Sequence, residues 1–142
     1  MENKIYKPLF GKMFYAIWIP TAVFLLAMTV VSAKYISALI IMLATDIFTL
    51  YFLLSSVYAW VELRENSVFI RFGFIKTVEI PYERIRGVSK ERRFYADSMM
   101  SIKNSMEHVN IKYNRFDVAS VSVVDNDAFI SDLELRMQAK RA

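Results

Sequence analysis

Two apolar runs open the chain, and an alternating pattern of apolar and polar positions replaces them after Trp60. Residues 13–33, MFYAIWIPTAVFLLAMTVVSA, carry no charge, and residues 35–60 carry only Asp46. A helix needs roughly 20 residues, at about 1.5 Å each, to cross a hydrocarbon core, and each run is that long. Only SAKY separates them, with Lys34 as its single charge, so the two helices lie antiparallel across a tight turn.

Beyond the runs the period changes to two, which predicts antiparallel strands. VELRE and SVFIRF flank Glu65-Asn66 as a hairpin, with Val68, Ile70 and Phe72 on one face. Gly73 permits a turn, and KTVEI follows with Val78 and Ile80 inward. Pro81 ends that strand because it has no N–H for a central ladder. RGVSKERR is a further strand, YADSMMSIKNS is the least structured segment, and EHVNIKY and DVASVSVV complete the set. Val109, Ile111, Tyr113, Val121 and Val123 continue the core, while His108 falls on the outward face as a solvated group. From Asp125 the period becomes helical: Phe129, Ile130, Leu133 and Met137 recur on one side. Asp125, Asn126 and Asp127 suit the helix start, and Lys140 and Arg141 suit its end.

The fold class expected is therefore an α+β membrane protein. A two-helix transmembrane hairpin leads into an antiparallel β-barrel or sheet capped by a C-terminal helix. The divisions are 1–12 as a cytoplasmic N-terminal segment, 13–33 and 35–58 as transmembrane helices, and 60–142 as the sheet domain. A soluble hairpin covered by the remainder is a poor alternative, because roughly 80 residues cannot wrap two helices that are apolar all round. A cleaved signal ending at Ala33 is another, but its apolar part exceeds the 7–15 residues of such segments.

Charge sets the orientation. The net charge of +4 divides into +2 before residue 13, zero in the hairpin and +2 in the remainder. Lys4, Lys7 and Lys12 precede the first run, and Arg64, Arg71 and Lys76 follow the second, so both termini are expected in the cytoplasm. Tyr15, Trp18, Tyr58 and Trp60 suit one interfacial belt. The near-neutral remainder argues against nucleic acid as a partner.

Asp46 is the conspicuous polar residue of the hairpin. Counting outward from Lys34 sets it at the depth of Thr21 and Pro20, roughly 18–20 Å from the turn. Pro20 leaves the Ala16 carbonyl without its helical donor. A protonated Asp46 can donate to that carbonyl and Thr21 can donate to the acid, so the three form a candidate polar lock for the hairpin or for a homo-oligomer. Ala38, Met42, Thr45, Asp46, Thr49, Leu53 and Ser56 share the contact face. A proton or cation relay is the functional alternative, as in a small transport or channel accessory, but no second ionisable residue in either run continues it.

The remaining chemistry is sparse. There is no cysteine, a single histidine, no glycine-rich phosphate loop and no HExxH, so no catalytic, metal or cofactor site is expected. The strongest charge feature is YERIRGVSKERRFY, with Arg84, Arg86, Lys90, Arg92 and Arg93 as candidate contacts for anionic lipid or a protein partner.

The order of VFIRFGF, EIPYERIRGV, SMEHVNIKY and VSVVDNDAFISDL resembles the bacterial pleckstrin-homology-like family, in particular its membrane-anchored YyaB-like group. The resemblance rests on Ile80-Pro81-Tyr82 leading to Ile85, Ser105 before the Val109 to Tyr113 strand, and Phe129-Ile130 opening the last helix. His108 departs from it, standing where a basic residue is common, and Asp125-Asn126 replaces a proline-containing helix start. The resemblance implies a sheet domain closed by a helix and a non-enzymatic interaction module at the cytoplasmic face of the bacterial inner membrane. Phosphoinositide-binding relatives use a basic loop between their first two strands, and here that loop is ENS. An immunity protein against a membrane-active peptide or bacteriocin is the alternative function.

Overall fold

The computed structural model describes residues 2–93 and 105–142, together with the backbone of Ser101 and Ile102. Helix α1 spans Lys12–Ser32 and α2 spans Ile36–Val57, joined by a turn in which the Tyr35 amide donates to the Ser32 carbonyl at 3.0 Å. Both helices are long and apolar enough to cross a membrane, and the rest of the chain does not bury them. Phe24, Leu26 and Val30 on α1, and Ile40, Ile47 and Phe48 on α2, point outward. On α2 the half-buried positions include Ala38, Met42, Asp46, Thr49, Leu53 and Ser56, the face expected from spacing. Thr45 leaves that set: it is exposed, and its hydroxyl donates to its own helix at the Ile41 carbonyl.

Two four-stranded sheets follow, rather than one closed barrel. The first orders β1 (Lys4–Tyr6), β2 (Trp60–Leu63), β3 (Ser67–Phe72) and β4 (Lys76–Pro81), all antiparallel. Strand β1 precedes α1, and three residues are too few to show a period. It nevertheless makes both ends of the helical hairpin continuous with one sheet. A single 3-10 turn, Tyr82–Arg84, leads to the second sheet. That sheet orders β5 (Ile85–Arg92), β7 (Glu107–Tyr113), β8 (Asp117–Val121) and β6 (Ser101–Ile102), with β6 parallel to β8. Of the segment expected to be least structured, residues 94–100, 103 and 104 lie outside the described residues.

The core forms where the inward faces of both sheets meet α3 (Asn126–Arg141). Leu63, Ile70, Ile80, Ile85, Ile111 and Leu133 are fully buried there. The Asp125 carboxylate caps α3 by accepting from the Ala128 amide at 3.0 Å. Arg136, buried on α3, donates to the carbonyls of Leu63, Arg64 and Glu2, which ties the helix to the first sheet.

A second tie runs from α3 to β1. Asp132 accepts from Lys4 Nζ at 2.5 Å and from the Tyr6 hydroxyl. The Lys4 contact, then the Tyr6 contact, holds this carboxyl below its ordinary value of 3.8. A carboxyl depressed in the folded state stabilises above its unfolded pKa, and that stabilisation is lost as pH falls through the folded value. Asp132→Asn should therefore lower the unfolding midpoint at pH 7. The gap from wild type should close below about pH 4, measured by thermal unfolding of the full chain in detergent.

Candidate functional site

The five cations of the basic segment do not form one patch. Strand β5 has eight residues, so its ends stand about 23 Å apart at roughly 3.3 Å per residue. Its direction is set by the strand before it. The turn that opens β4 sits against α2, where Ser55 Oγ donates to the Phe72 carbonyl at 3.2 Å and accepts from the Phe74 amide at 3.1 Å. Strand β4 runs away from the helices, and β5 returns toward them. Arg92 therefore lies near the helix base, lining a cleft of about 260 Å³ with Lys12, Met13 and Glu107. Arg84 and Arg86 lie at the far end. Lys90 is paired with Asp127 at 3.0 Å, which raises its ammonium above the usual value, and Arg93 Nε lies 3.4 Å from Glu91.

The far end gathers cations that sequence spacing keeps apart. The turn between β7 and β8 holds Asn114 at a positive φ of 49°, where its side chain donates to Asp117 at 2.9 Å. The Asn114 amide donates to the Arg84 carbonyl at 3.1 Å, which brings this turn to the start of β5. Lys112 stands opposite Gly87, and Arg141 at the end of α3 donates to the Ile85 carbonyl at 2.9 Å. The Arg115 guanidinium lies 5.3 Å from the centre of the Phe116 ring, and Phe116 is 83% exposed. Arg84, Arg86, Lys112 and Arg141 thus stand on segments that meet at this end of the domain, where Arg115 flanks the exposed Phe116 ring and Asp117 and Glu83 are the exposed acids. The sequence signal was an aromatic residue inside a turn, NRF; the other cations at this end come from the 3-10 turn, β5, β7 and α3.

A family model described as bacterial PH domain matches residues 60–137, more than half of the chain. The chain belongs to the bacterial PH domain family. No curated protein and no solved structure matches it. PH domains are in general interaction modules, and that is the coarse functional class. Among the described residues of this bacterial PH domain, no three His, Cys, Asp or Glu side chains converge to hold a metal ion.

His108 differs from expectation. It is fully buried, with Nδ1 3.1 Å from the Met106 carbonyl. Alternation assigns a side chain to one face of a strand but does not say whether that face is covered. Strand β7 is interior to its sheet, and Glu91 stands directly opposite His108 while Ser120 donates to Asn110 at 2.6 Å on the same side.

The polar lock of the hairpin is also built differently. The Thr29 hydroxyl lies 2.7 Å from Asp46 Oδ2 and shares its single hydrogen with the Leu25 carbonyl of its own helix at 2.9 Å, whereas Thr21 meets only the Ile17 carbonyl of its own helix at 2.6 Å. Pro20 remains inside α1 without a part in the lock. Side-chain direction works in this sense: helical side chains lean toward their own N-terminus, by about one position on each helix, which is part of the offset. In an antiparallel pair Asp46 leans toward the connecting turn and the α1 side chains lean away from it, so the partner lies nearer the turn than equal backbone depth suggests. Thr29 is two helical turns, about 12 Å, from Thr21. A double-mutant cycle in detergent should give about 0.6 kcal/mol of coupling for Thr29→Val with Asp46→Leu, and none for Thr21→Val with Asp46→Leu.

Proposed function

We infer that the protein is a membrane-anchored, non-enzymatic interaction module at the cytoplasmic face of a bacterial cell membrane, and that its helix-distal basic tip receives an acidic protein partner. The observation that carries this reading is the continuity of both hairpin ends with the first sheet. Strand β1 enters α1 and β2 leaves α2, and the two pair from Lys4–Leu63 to Tyr6–Val61. With such a base the domain stands on the side where the chain begins, and lysines before α1 favour the cytoplasm. The same continuity speaks against a cleaved leader, since cleavage after Ala33 would remove an edge strand.

A tip held away from the bilayer is free to meet a protein, and an exposed Phe116 flanked by Arg115, at the end of the domain that also carries Arg84, Arg86, Lys112 and Arg141, suits an anchor for an acidic surface. Two measurements test the reading. A cytoplasmic reporter fused after Ala142 should be active, and activity of a periplasmic reporter alone would overturn the orientation. A photo-crosslinker at Phe116 in intact membranes should capture a partner in a manner abolished by Arg84→Glu with Arg86→Glu. Capture that ignores both charge reversals would exclude the tip as the contact.

A further inference from the structure

The turn between β3 and β4 combines three features that no sequence motif announced. Its tip is apolar and open, with Phe74 and Ile75 both exposed. It lies alongside the last two turns of α2, since the Phe74 ring packs against Tyr51 at 6.0 Å and Tyr58 at 5.6 Å between centroids. Beside the tip a cleft of about 350 Å³ is lined by Arg71, Gly73, Phe74, Ile75, Lys76 and Thr77.

The cleft has anion-binding chemistry. The Arg71 guanidinium is fixed on two sides: its carbon lies 4.7 Å from the centre of the Trp60 ring, and Nε donates to the Gly73 carbonyl at 3.0 Å. Its terminal nitrogens, the Lys76 ammonium and the Thr77 hydroxyl have no hydrogen-bonding partner among the described residues. A guanidinium oriented by stacking loses less freedom on meeting a phosphate than a free one. Among the described residues lining this cleft there is no carboxylate.

We propose that this cleft binds the phosphate of an anionic phospholipid headgroup, with Phe74 and Ile75 set into the bilayer interface beside α2. The inference rests on the membrane anchoring given under Proposed function. It differs from the basic segment in location: Arg84 and Arg86 stand at the far tip, whereas Arg71 and Lys76 stand where α2 ends. Trp60, stacked on Arg71, is the reporter.

The test uses the full chain in phosphatidylcholine nanodiscs, with Trp18→Phe leaving Trp60 as the single tryptophan. Lipid brominated near its carbonyl groups is added either as phosphatidylglycerol or as phosphatidylcholine, and Trp60 quenching is compared at equal mole fraction. Brominated phosphatidylglycerol should quench more strongly, and Lys76→Gln should reduce that preference about fivefold, the equivalent of about 1 kcal/mol per basic residue near the surface. Arg84→Gln with Arg86→Gln should leave it unchanged. Equal quenching by both lipids would overturn headgroup selection, and equal quenching together with a Lys76-dependent response of Trp60 fluorescence to inorganic phosphate would make free phosphate, not lipid, the occupant. Quenching by neither lipid would show that Trp60 is remote from the bilayer and would overturn the interfacial setting of Phe74 and Ile75, whereas failure of the anchoring itself would show as loss of the chain from washed membranes.

Discussion

Replacing Phe129 with alanine is expected to destabilise the sheet domain by about 3–5 kcal/mol, the range for emptying a buried aromatic site. Phe129 is fully buried in the first turn of α3 and meets Tyr6 of β1 edge-on, with ring centres 5.2 Å apart and an interplanar angle of 73°. It therefore touches the one strand that precedes the hairpin, and the cavity would open between α3 and the edge of the first sheet. Denaturant unfolding of the full chain in detergent, followed by far-ultraviolet circular dichroism, measures the loss. Leu135→Ala on the outward side of α3, where Leu135 is 58% exposed, should change stability by less than about 0.5 kcal/mol. A Phe129→Ala variant as stable as Leu135→Ala would mean that α3 does not complete the core.

What was legible in the sequence follows from which interactions are local. The hairpin helices were legible from two unbroken apolar runs of spanning length, and the β2 to β4 strands and α3 because one period, 2 or 3.6, repeats across each of them. The inward set Val68, Ile70 and Phe72 and the Asp125 cap are local consequences of that kind. Three features were not legible. Strand β1 is too short to show a period, and its place depends on Tyr6 reaching Asp132, 126 residues away. Asp46 finds Thr29 rather than Thr21, and side-chain lean is part of that offset from the residue count. The basic segment lists neighbours in sequence that are not neighbours on a surface. An extended strand separates its ends by the width of the domain, and the cations at the tip come from further elements as well.

Gly73→Ala should be nearly as costly, and its effect bears directly on how the domain meets the helices. Gly73 has a φ of +60°, a conformation that costs an alanine about 1–2 kcal/mol. The added Cβ would also lie 2.0 Å from the Ser55 carbonyl oxygen and 2.2 Å from Ser55 Oγ. One of those atoms is helix backbone, so relief requires moving the turn away from α2 at a further cost of about 1–3 kcal/mol. The combined loss of about 2–5 kcal/mol should be accompanied by faster hydrogen exchange at the Phe74 amide, which donates to Ser55 Oγ. Gly87→Ala is the matched control: nothing lies within 4 Å of a Cβ there, and its stability should stay close to wild type. Ser55→Ala separates the two causes. It removes the hydroxyl that bonds the turn while leaving Gly73 unstrained, so it should speed Phe74 exchange with a smaller loss of stability, about 1–3 kcal/mol for the buried groups left unpaired. If Gly73→Ala left both stability and Phe74 exchange unchanged, the turn would not be clamped to α2, and Arg71 and Lys76 would have no fixed height relative to the helix end.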